Sequence, residues 1–184
     1  MTQDKPMPNM AFRGMAFALR LMEPFKRSRE RLTGAGLNKG QVVLEYGCGI
    51  GSYTIPAARI VGNEGIVYAL DIHPLAITTV EKRNAKENLV NIKTILSDRE
   101  TGLPDECVDV VLLYDTFHLV RDQQALLKEL HRVLKPGGFL SADHMHTASE
   151  DFLQTMQAEN RFSYQSQGRE TFPLRVFTFI KCII

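Results

Sequence analysis

This chain has little of the charge imbalance or cysteine content that marks several common classes of protein. Its 22 Lys and Arg residues nearly balance 21 Asp and Glu residues, and a net charge of +1 gives no long-range field for nucleic acid. Its three cysteines, Cys48, Cys107 and Cys182, include no Cys-x-x-Cys pair of the kind that holds zinc or exchanges disulfides. We therefore predict a reduced, cytoplasmic protein with a small-molecule substrate and no nucleic-acid partner.

Long apolar runs are also missing from the sequence. No stretch has the length of a membrane span, and Met1–Met10 lacks the apolar core of a signal peptide. No linker or internal repeat divides the 184 residues, which have the size of one domain. We predict a flexible tail over residues 1–10, a helical cap over residues 11–40 and one main domain over residues 41–184.

The N-terminal region has an amphipathic pattern. Apolar side chains recur there at helical spacing: Phe12, Met15, Ala16, Leu19, Met22 and Phe25. The pattern predicts a helix over residues 11–35 that Pro24 bends or splits. A basic run follows, interleaved with Glu23 and Glu30, and consists of Lys26, Arg27, Arg29 and Arg31. In a chain so close to neutrality we interpret this run as a solvated helix face rather than a phosphate site.

The most informative stretch runs from Gln41 to Asp71. It opens with an apolar, strand-like run and continues through alternate glycines, Val42-Val43-Leu44-Glu45-Tyr46-Gly47-Cys48-Gly49-Ile50-Gly51. Glycines let a backbone approach a ligand, and the helix that follows directs its amide groups toward the same place. A second strand ends at Asp71, twenty residues after Gly51, where nucleotide-binding α/β folds place an acid that binds ribose hydroxyls.

Strand and helix patterns alternate through the rest of the chain. Strands are predicted at residues 65–71, 91–96, 108–115 and 139–142, and helices at residues 52–61, 74–88 and 122–134. Such alternation predicts a parallel sheet that binds ligands at the carboxyl ends of its strands. After a helix over residues 149–160, two closely spaced strands at 161–171 and 173–183 favour a hairpin, so that at least one strand runs antiparallel.

Four features of this sequence together resemble the class I S-adenosylmethionine-dependent methyltransferases. They are the loop from Glu45 to Gly51, Asp71, Asp98 and the string His131-Arg132-Val133-Leu134-Lys135-Pro136-Gly137-Gly138. Dinucleotide-binding loops instead carry Gly-x-Gly-x-x-Gly. The last string resembles the subgroup that methylates small molecules, including ubiquinone and menaquinone precursors. The resemblance covers about residues 41–184. It implies an α/β fold with a Rossmann-like, seven-stranded, mostly parallel sheet, helices on both faces and a reversed C-terminal strand.

The resemblance also implies a site for S-adenosyl-L-methionine. Glu45 and the glycine backbone would hold the methionine part, and Asp71 the ribose hydroxyls. Ile72 would lie against the adenine, and Asp98 would accept from the adenine amino group. The full implied set is Glu45, Tyr46, Gly47, Cys48, Gly49, Gly51, Asp71, Ile72, Asp98, Arg99 and Tyr114. For Asp71 and Asp98 the alternative is a helix cap or turn role, since Asp is common at strand ends.

The catalytic side is less marked. Asp115 and His118 follow the fourth strand, where the family brings acceptor and methyl together. His118 is a candidate general base because its pKa lies naturally near neutrality, and it could equally line the pocket. Asp143, His144 and His146 follow the fifth strand. Asp115, Asp143 and His144 resemble the metal positions of cation-dependent catechol methyltransferases only in part, because histidine is a poor ligand in an all-oxygen site. A hydrogen-bonded or pocket-lining role is therefore favoured for them. We predict no metal.

We consider three functions. The leading hypothesis is a methyltransferase that acts on a small molecule. The alternatives are a non-catalytic protein or partner subunit that binds S-adenosylmethionine, and a nicotinamide-dependent oxidoreductase, which the loop spacing disfavours. Because the sequence has no sizeable insertion, we expect the acceptor pocket to be formed by the N-terminal helices and the loops after the fourth and fifth strands. A homodimer could complete it.

Overall fold

A computed structural model describes residues 5–22, 28–143, 149–167 and 176–183. The helices are α1 (Asn9–Met22), α2 (Ser28–Gly34), α3 (Thr54–Val61), α4 (Pro74–Lys86), α5 (Gln123–Val133) and α6 (Ser149–Gln157). The strands are β1 (Val42–Tyr46), β2 (Ile66–Asp71), β3 (Ile92–Leu96), β4 (Val108–Leu113), β5 (Leu134–Asp143), β6 (Phe162–Gln167) and β7 (Val176–Lys181). Single 3-10 turns cover Phe117–Leu119 and Ala158–Asn160.

The seven strands form one sheet in the order β3-β2-β1-β4-β5-β7-β6. Strand β1 pairs in parallel with β2 and with β4, whereas β7 runs antiparallel to both β5 and β6. The predicted α/β fold, with its mostly parallel sheet and reversed C-terminal strand, is confirmed. The strand order reverses direction at β1, and ligands of open α/β sheets bind in the crevice at the carboxyl ends of such strands.

Helices cover both faces of the sheet because neighbouring residues of its central strands point to opposite sides. On one face, Leu44 and Val111 pack with residues of α5 and α6. On the other face, Val43 and Val110 pack with Leu32 of α2 and with α3. Strands β1 and β4 are almost entirely apolar because they are buried on both sides.

The string Lys135–Gly138 lies within β5 and not between it and α5, although the strand was predicted only for residues 139–142. Strand β5 begins at Leu134, directly after α5, and its pairing with β4 shifts register between Val108 and Val110. Gly137 takes a φ of 77°, a value that favours glycine. A Cβ on Gly138 would lie 2.9 Å from the Asp109 carbonyl oxygen, so this position has no room for a side chain.

The N-terminal region differs from the sequence-based expectation in three respects. Helix α1 begins at Asn9, within the predicted tail, and Met22 is exposed although it belongs to the predicted apolar face. Arg29 is exposed, but Arg31 is only 8% exposed, so the prediction of a solvated basic face is wrong for Arg31. Pro24, Phe25, Lys26 and Arg27 lie outside the described residues. None of the helices in the described ranges is long and apolar enough to cross a membrane.

Candidate active site at the carboxyl ends of the strands

The glycine loop after β1 is held by backbone hydrogen bonds and by close approach to its neighbours. The amides of Gly47 and Cys48 both donate to the Leu70 carbonyl oxygen, at 2.8 and 3.0 Å. Gly47 has a φ of 78°, and a Cβ there would lie 2.6 Å from Cγ2 of Thr116. Gly51 has a φ of 80° and faces Val80 of α4. The path of the loop therefore requires glycine at these two positions, where the backbone is left-handed and a side chain would meet Thr116 or Val80.

Gly49 is different because it borders open space. Its φ is 51°, and no atom lies within 4 Å of a Cβ built on it. Its amide donates to Oδ2 of Asp71 at 2.8 Å, which fixes the Asp71 carboxylate beside this opening. Oδ1 of Asp71 accepts from the amide of His73, also at 2.8 Å. A carboxylate has about four acceptor positions, so Asp71 keeps the capacity to accept further hydrogen bonds.

The hydrogen bonds of Asp71 and His73 bear on the alternative role of Asp71 as a helix cap or turn residue. The bond from the His73 amide gives Asp71 a turn role, as that alternative requires. The side chain that caps α4 is instead His73, whose Nδ1 accepts from the Leu75 amide at 3.1 Å. Burial raises the pKa of Asp71, and the amides of His73 and Gly49 oppose that rise. Because those amides favour the charged form, they hold a carboxylate at this edge of the sheet.

The other predicted residues of the loop have distinct positions. Glu45 is buried and accepts a hydrogen bond from the Thr54 hydroxyl, next to the glycine loop. The Tyr46 hydroxyl donates to the Asp98 backbone carbonyl, so Tyr46 links β1 to the segment after β3. Burial raises the pKa of Cys48 well above its ordinary value, and the nearby Glu45 and Asp71 charges add to this effect. Cys48 is therefore a neutral thiol.

The segments after β2 and β3 carry three more predicted residues. Ile72 and Asp98 are half-buried at the ends of their strands. Nη1 of Arg99 lies 3.5 Å from Oδ2 of Asp122, the residue that caps α5. Arg99 is thus paired with α5, while Ile72 directly follows Asp71 at the opening beside Gly49.

A second group of polar side chains lies where β4 and β5 end. Asp143, at the end of β5, is 2% exposed, and its Oδ1 accepts from the Asp115 amide at 3.0 Å. Its Oδ2 lies 3.4 Å from Nη2 of Arg31. The Arg31 guanidinium donates to the Tyr53 hydroxyl and lies 5.1 Å from the centre of the Tyr114 ring. We call Arg31, Tyr53, Tyr114 and Asp143 the buried polar cluster.

The electrostatics of this cluster depend on its burial. Burial, followed by the Asp115 charge, raises the pKa of Asp143 to about 7, although Arg31 opposes the rise. Burial also raises the pKa of Tyr53 and Tyr114, which are therefore neutral phenols at physiological pH. The Tyr114 hydroxyl bonds with Oγ of Ser141 at 2.6 Å, so this predicted cofactor residue is anchored to β5.

The turn after β4 carries both candidate catalytic residues. Asp115 has a φ of 56°, which is unusual for a residue with a side chain, and its amide is held by Asp143. His118 is half-buried in the 3-10 turn that follows. Thr116, between them, packs against Gly47, so this turn touches the glycine loop directly. His144 and His146 lie outside the described residues.

No metal centre is found in the part of the chain that the structure describes. Its His, Cys, Asp and Glu residues do not form a group of three that could hold an ion. Asp115 and Asp143 are joined by a hydrogen bond from the Asp115 backbone amide to the Asp143 carboxylate. Arg31, Tyr53 and Ser141 were not predicted as site residues. The position of Asp143 next to Asp115, at the ends of adjacent strands, was the one signal that pointed to this cluster.

Known proteins and a protein-family model match most of the chain. A family model described as a methyltransferase domain covers residues 37–174. Demethylmenaquinone methyltransferase of Geobacillus stearothermophilus is 36% identical over 103 residues, which are 55% of this chain and 44% of that protein. Ubiquinone/menaquinone biosynthesis C-methyltransferase UbiE of Marinomonas sp. is 31% identical over 139 residues, which are 74% of this chain and 55% of that protein. The chain thus spans about half the length of the curated relatives it matches.

The fold also closely resembles that of a solved structure. A SAM dependent methyltransferase from Aquifex aeolicus superposes with a TM-score of 0.82, at 22% identity, over 96% of this chain and 100% of that one. At this level of identity the likeness shows that the two chains share a fold.

Proposed function

Because this chain belongs to the methyltransferase domain family, whose cofactor is S-adenosyl-L-methionine, we propose that it transfers a methyl group from that cofactor to a small-molecule acceptor. The observation that carries the proposal is the position of Asp71 beside Gly49. A carboxylate with spare acceptor capacity borders an opening at the strand ends, where a nucleoside can enter.

The residues around this opening fit the cofactor. Asp71 would bind the ribose hydroxyls, Ile72 would contact the adenine, and Glu45 with the glycine backbone would hold the methionine part. The bound cofactor supplies a methyl group already activated by its sulfonium. The chain's own residues therefore have to align the acceptor, exclude water and remove a proton where the acceptor carries one.

We assign the acceptor side to the turn after β4. This turn packs against Gly47 through Thr116, so an acceptor above it would lie next to the methionine end of the loop. The bond from the Asp115 amide to Asp143 holds the turn against β5. In this arrangement His118 is the candidate base and Asp115 a candidate for binding the acceptor.

A hydroxylated aromatic or quinone-type ring is the acceptor class that we favour. Removal of a proton from such a hydroxyl increases the electron density at the neighbouring ring carbon, which can then attack the methyl carbon. The bond from methyl to sulfur would break, the demethylated cofactor would leave as a neutral thioether, and the ring carbon would lose its proton to restore the aromatic ring. Both relatives described above are named for methylation in menaquinone or ubiquinone biosynthesis, which supports this choice.

Three assignments about the surroundings complete the proposal. The chain acts in the cytoplasm, which the three free cysteines support. Residues 11–40 cover the main domain as a cap, which the burial of Phe12 and Leu32 supports. A second copy of the chain completes the acceptor pocket as a homodimer. Sedimentation velocity of the purified chain tests the dimer, which a monomer at all concentrations would exclude.

Calorimetric titration tests the cofactor assignment. We expect S-adenosylmethionine and its demethylated product to bind, and NADH not to bind. Asp71→Asn should weaken binding of both ligands, whereas Lys82→Gln, an exposed change on α4, should not. Failure of both ligands to bind would reject the proposal, and binding of NADH alone would favour the oxidoreductase.

Turnover separates an enzyme from a protein that only binds the cofactor. We would incubate the chain with methyl-labelled cofactor and a panel of hydroxyquinols, catechols and amines. Label transfer to the hydroxylated rings is expected, with the amines as negative controls. Tight cofactor binding without transfer to any acceptor would favour a sensor or partner subunit.

A further inference from the structure

Helix α1 has an apolar ridge on its outer face. Met10, Phe17 and Leu21 are seven and four residues apart, so they lie on one side of the helix. They are 78%, 67% and 63% exposed, although such side chains are usually buried. Gly14 lies on the same side, and a Cβ built there meets no atom within 4 Å. We call Met10, Phe17 and Leu21 the α1 ridge.

The opposite face of α1 is fixed to the main domain. Phe12 is buried, and its ring stacks on the His73 ring with 4.2 Å between the ring centres. It belongs to the same apolar cluster as Cys48 and Ile50 of the glycine loop. The Met7 carbonyl oxygen lies 3.1 Å from Nε2 of His73. Because α1 is held in this orientation, the α1 ridge necessarily faces outward.

The charges beside the α1 ridge are positive. Arg13 and Arg20 lie four residues before and three residues after Phe17, so they adjoin the ridge on the helix surface, and both are exposed. The sequence of α1 contains no Asp or Glu. Lys5, in the segment that leads into α1, is also exposed. Apolar and aromatic side chains next to arginines, on a helix without acids, are typical of helices that lie in an anionic membrane interface.

A second copy of the chain fits this surface less well. Packing two α1 ridges across a two-fold axis would bring the arginines of both helices together, and α1 offers no carboxylate to neutralise them. An anionic bilayer supplies both partners at once, because its phosphates attract the arginines and its acyl chains accept the apolar side chains.

We propose that the α1 ridge docks on an anionic membrane surface. Phe17 and Leu21 enter the boundary between headgroups and acyl chains, while Arg13 and Arg20 bind lipid phosphates. The contact of Phe12 with His73 then holds the glycine loop about one helix diameter, roughly 10 Å, from the bilayer. A lipid-soluble substrate in the bilayer would therefore lie close to the candidate site.

The absence of tryptophan from the chain allows a direct test. In Phe17→Trp the new indole is the only one, so its fluorescence reports its own surroundings. We expect a blue shift with vesicles of equal phosphatidylglycerol and phosphatidylcholine, and none with phosphatidylcholine alone. Val90→Trp is the matched control, because Val90 is 80% exposed at the amino end of β3. A blue shift at both positions, or at neither, would overturn the proposal.

Vesicle flotation measures the contribution of each feature. Loss of each arginine should weaken partitioning about fivefold, so Arg13→Gln with Arg20→Gln should weaken it about 25-fold. Phe17→Ser with Leu21→Ser should reduce partitioning by more than about tenfold. The controls Lys82→Gln and Val90→Ser should float like the unmodified chain. If the unmodified chain does not float, or if the serine variant floats equally well, the proposal is wrong.

Two further measurements distinguish membrane docking from unfolding and from self-association. The serine variant should keep its melting temperature and its affinity for S-adenosylmethionine, because the changed side chains are exposed, so a loss of flotation cannot be attributed to unfolding. Light scattering without lipid should give the same mass for both proteins. A dimer that the serine variant dissociates would instead identify the α1 ridge as a self-association surface. Flotation needs no methyl transfer, so this proposal and the proposed function can fail separately.

Discussion

The two halves of the candidate site are held together by different parts of the chain. On the β1–β2 side, backbone amides fix the glycine loop, with Gly47 and Cys48 bonded to Leu70 and Gly49 bonded to Asp71. On the β4–β5 side, the buried polar cluster fixes the turn after β4 through side chains. The β1–β2 half thus depends on the positions of the glycines. The β4–β5 half depends on which charged side chains contact each other in the protein interior.

The sequence distances within the two halves differ accordingly. The glycine loop and Asp71 lie in one continuous stretch, and the bond from Gly49 to Asp71 joins residues 22 positions apart. In the buried polar cluster, the contact from Arg31 to Asp143 joins residues 112 positions apart. A local pattern can specify the first half by itself, whereas the second half exists only after α2 has packed on the sheet.

The sharpest test of the first half is to add a methyl group at two glycines. Gly47→Ala forces a Cβ against Thr116 and requires a left-handed backbone, so it should cost about 2–4 kcal/mol of unfolding free energy. Cofactor affinity should fall by more than about 100-fold, because the loop must move. Urea unfolding and calorimetry measure the two effects.

Gly49→Ala is the matched variant, because its methyl group enters the opening. We expect a stability cost of only about 1 kcal/mol, from the left-handed backbone, together with a large loss of cofactor affinity. Comparing the two variants therefore separates the effect of a methyl group on the stability of the loop from its effect on the space available to the cofactor. Normal cofactor binding by Gly49→Ala would show that the opening is not the nucleoside site.

Asp71→Asn tests the same half through its charge. An Asn side chain cannot accept from both the Gly49 and His73 amides without turning its own amide toward one of them. With the ribose contact also weakened, cofactor affinity should fall about 100-fold, as expected for loss of charge-assisted bonds worth about 3 kcal/mol. The comparison is Asp98→Asn, for which we expect about a fivefold loss. Equal losses of cofactor affinity in both variants would show that Asp71 contributes no more than Asp98 to cofactor binding.

Much of the fold was predictable because its determinants are local. Pro74 was expected near the start of a helix and lies in the first turn of α4, and the apolar runs of β1 and β4 occupy the centre of the sheet. The predicted strand over residues 65–71 differs from β2 by one residue. These features need only the spacing of apolar side chains and the conformational limits of Pro and Gly.

The environment of Arg31 was not predictable from its sequence neighbours. It lies in a run of charges beside Glu30, and such a run usually marks a solvated face. Its burial depends on Asp143 and on the rings of Tyr53 and Tyr114, which no local pattern connects to it. For the same reason the roles of Asp115 and His118 stay predictions, since sequence spacing alone does not locate an acceptor.

His118→Gln tests whether the turn after β4 performs chemistry. If His118 is the general base, kcat should fall about 100-fold while cofactor affinity stays unchanged. The loss should diminish at high pH, where the acceptor hydroxyl ionises without help. If kcat is preserved and only the acceptor KM rises, His118 is a pocket residue and the base lies elsewhere. Thr116→Ser, in the same turn, serves as a control for local disturbance.

The stability of the second half should depend on pH. The pKa of Asp143 is about 7 in the folded chain and lies near the ordinary value of 3.8 when unfolded. Between these values the folded state binds the extra proton, so the associated stability is full below about pH 4 and is lost as the pH rises to about 7. We expect the unfolding free energy to fall by about 2 kcal/mol between about pH 5 and pH 7, and Asp143→Asn to remove most of this fall.

Glu129 provides an internal check on this pH dependence. Its hydrogen bonds with Arg132 lower its pKa to about 2, so its stabilisation is lost only as the pH falls below its ordinary value of 4.5. Glu129→Gln should therefore shift the whole stability curve above about pH 5 without changing its slope. If the unmodified chain and Asp143→Asn have the same slope between about pH 5 and pH 7, Asp143 is ionised throughout. The contact with Arg31 would then be an ion pair across that pH range.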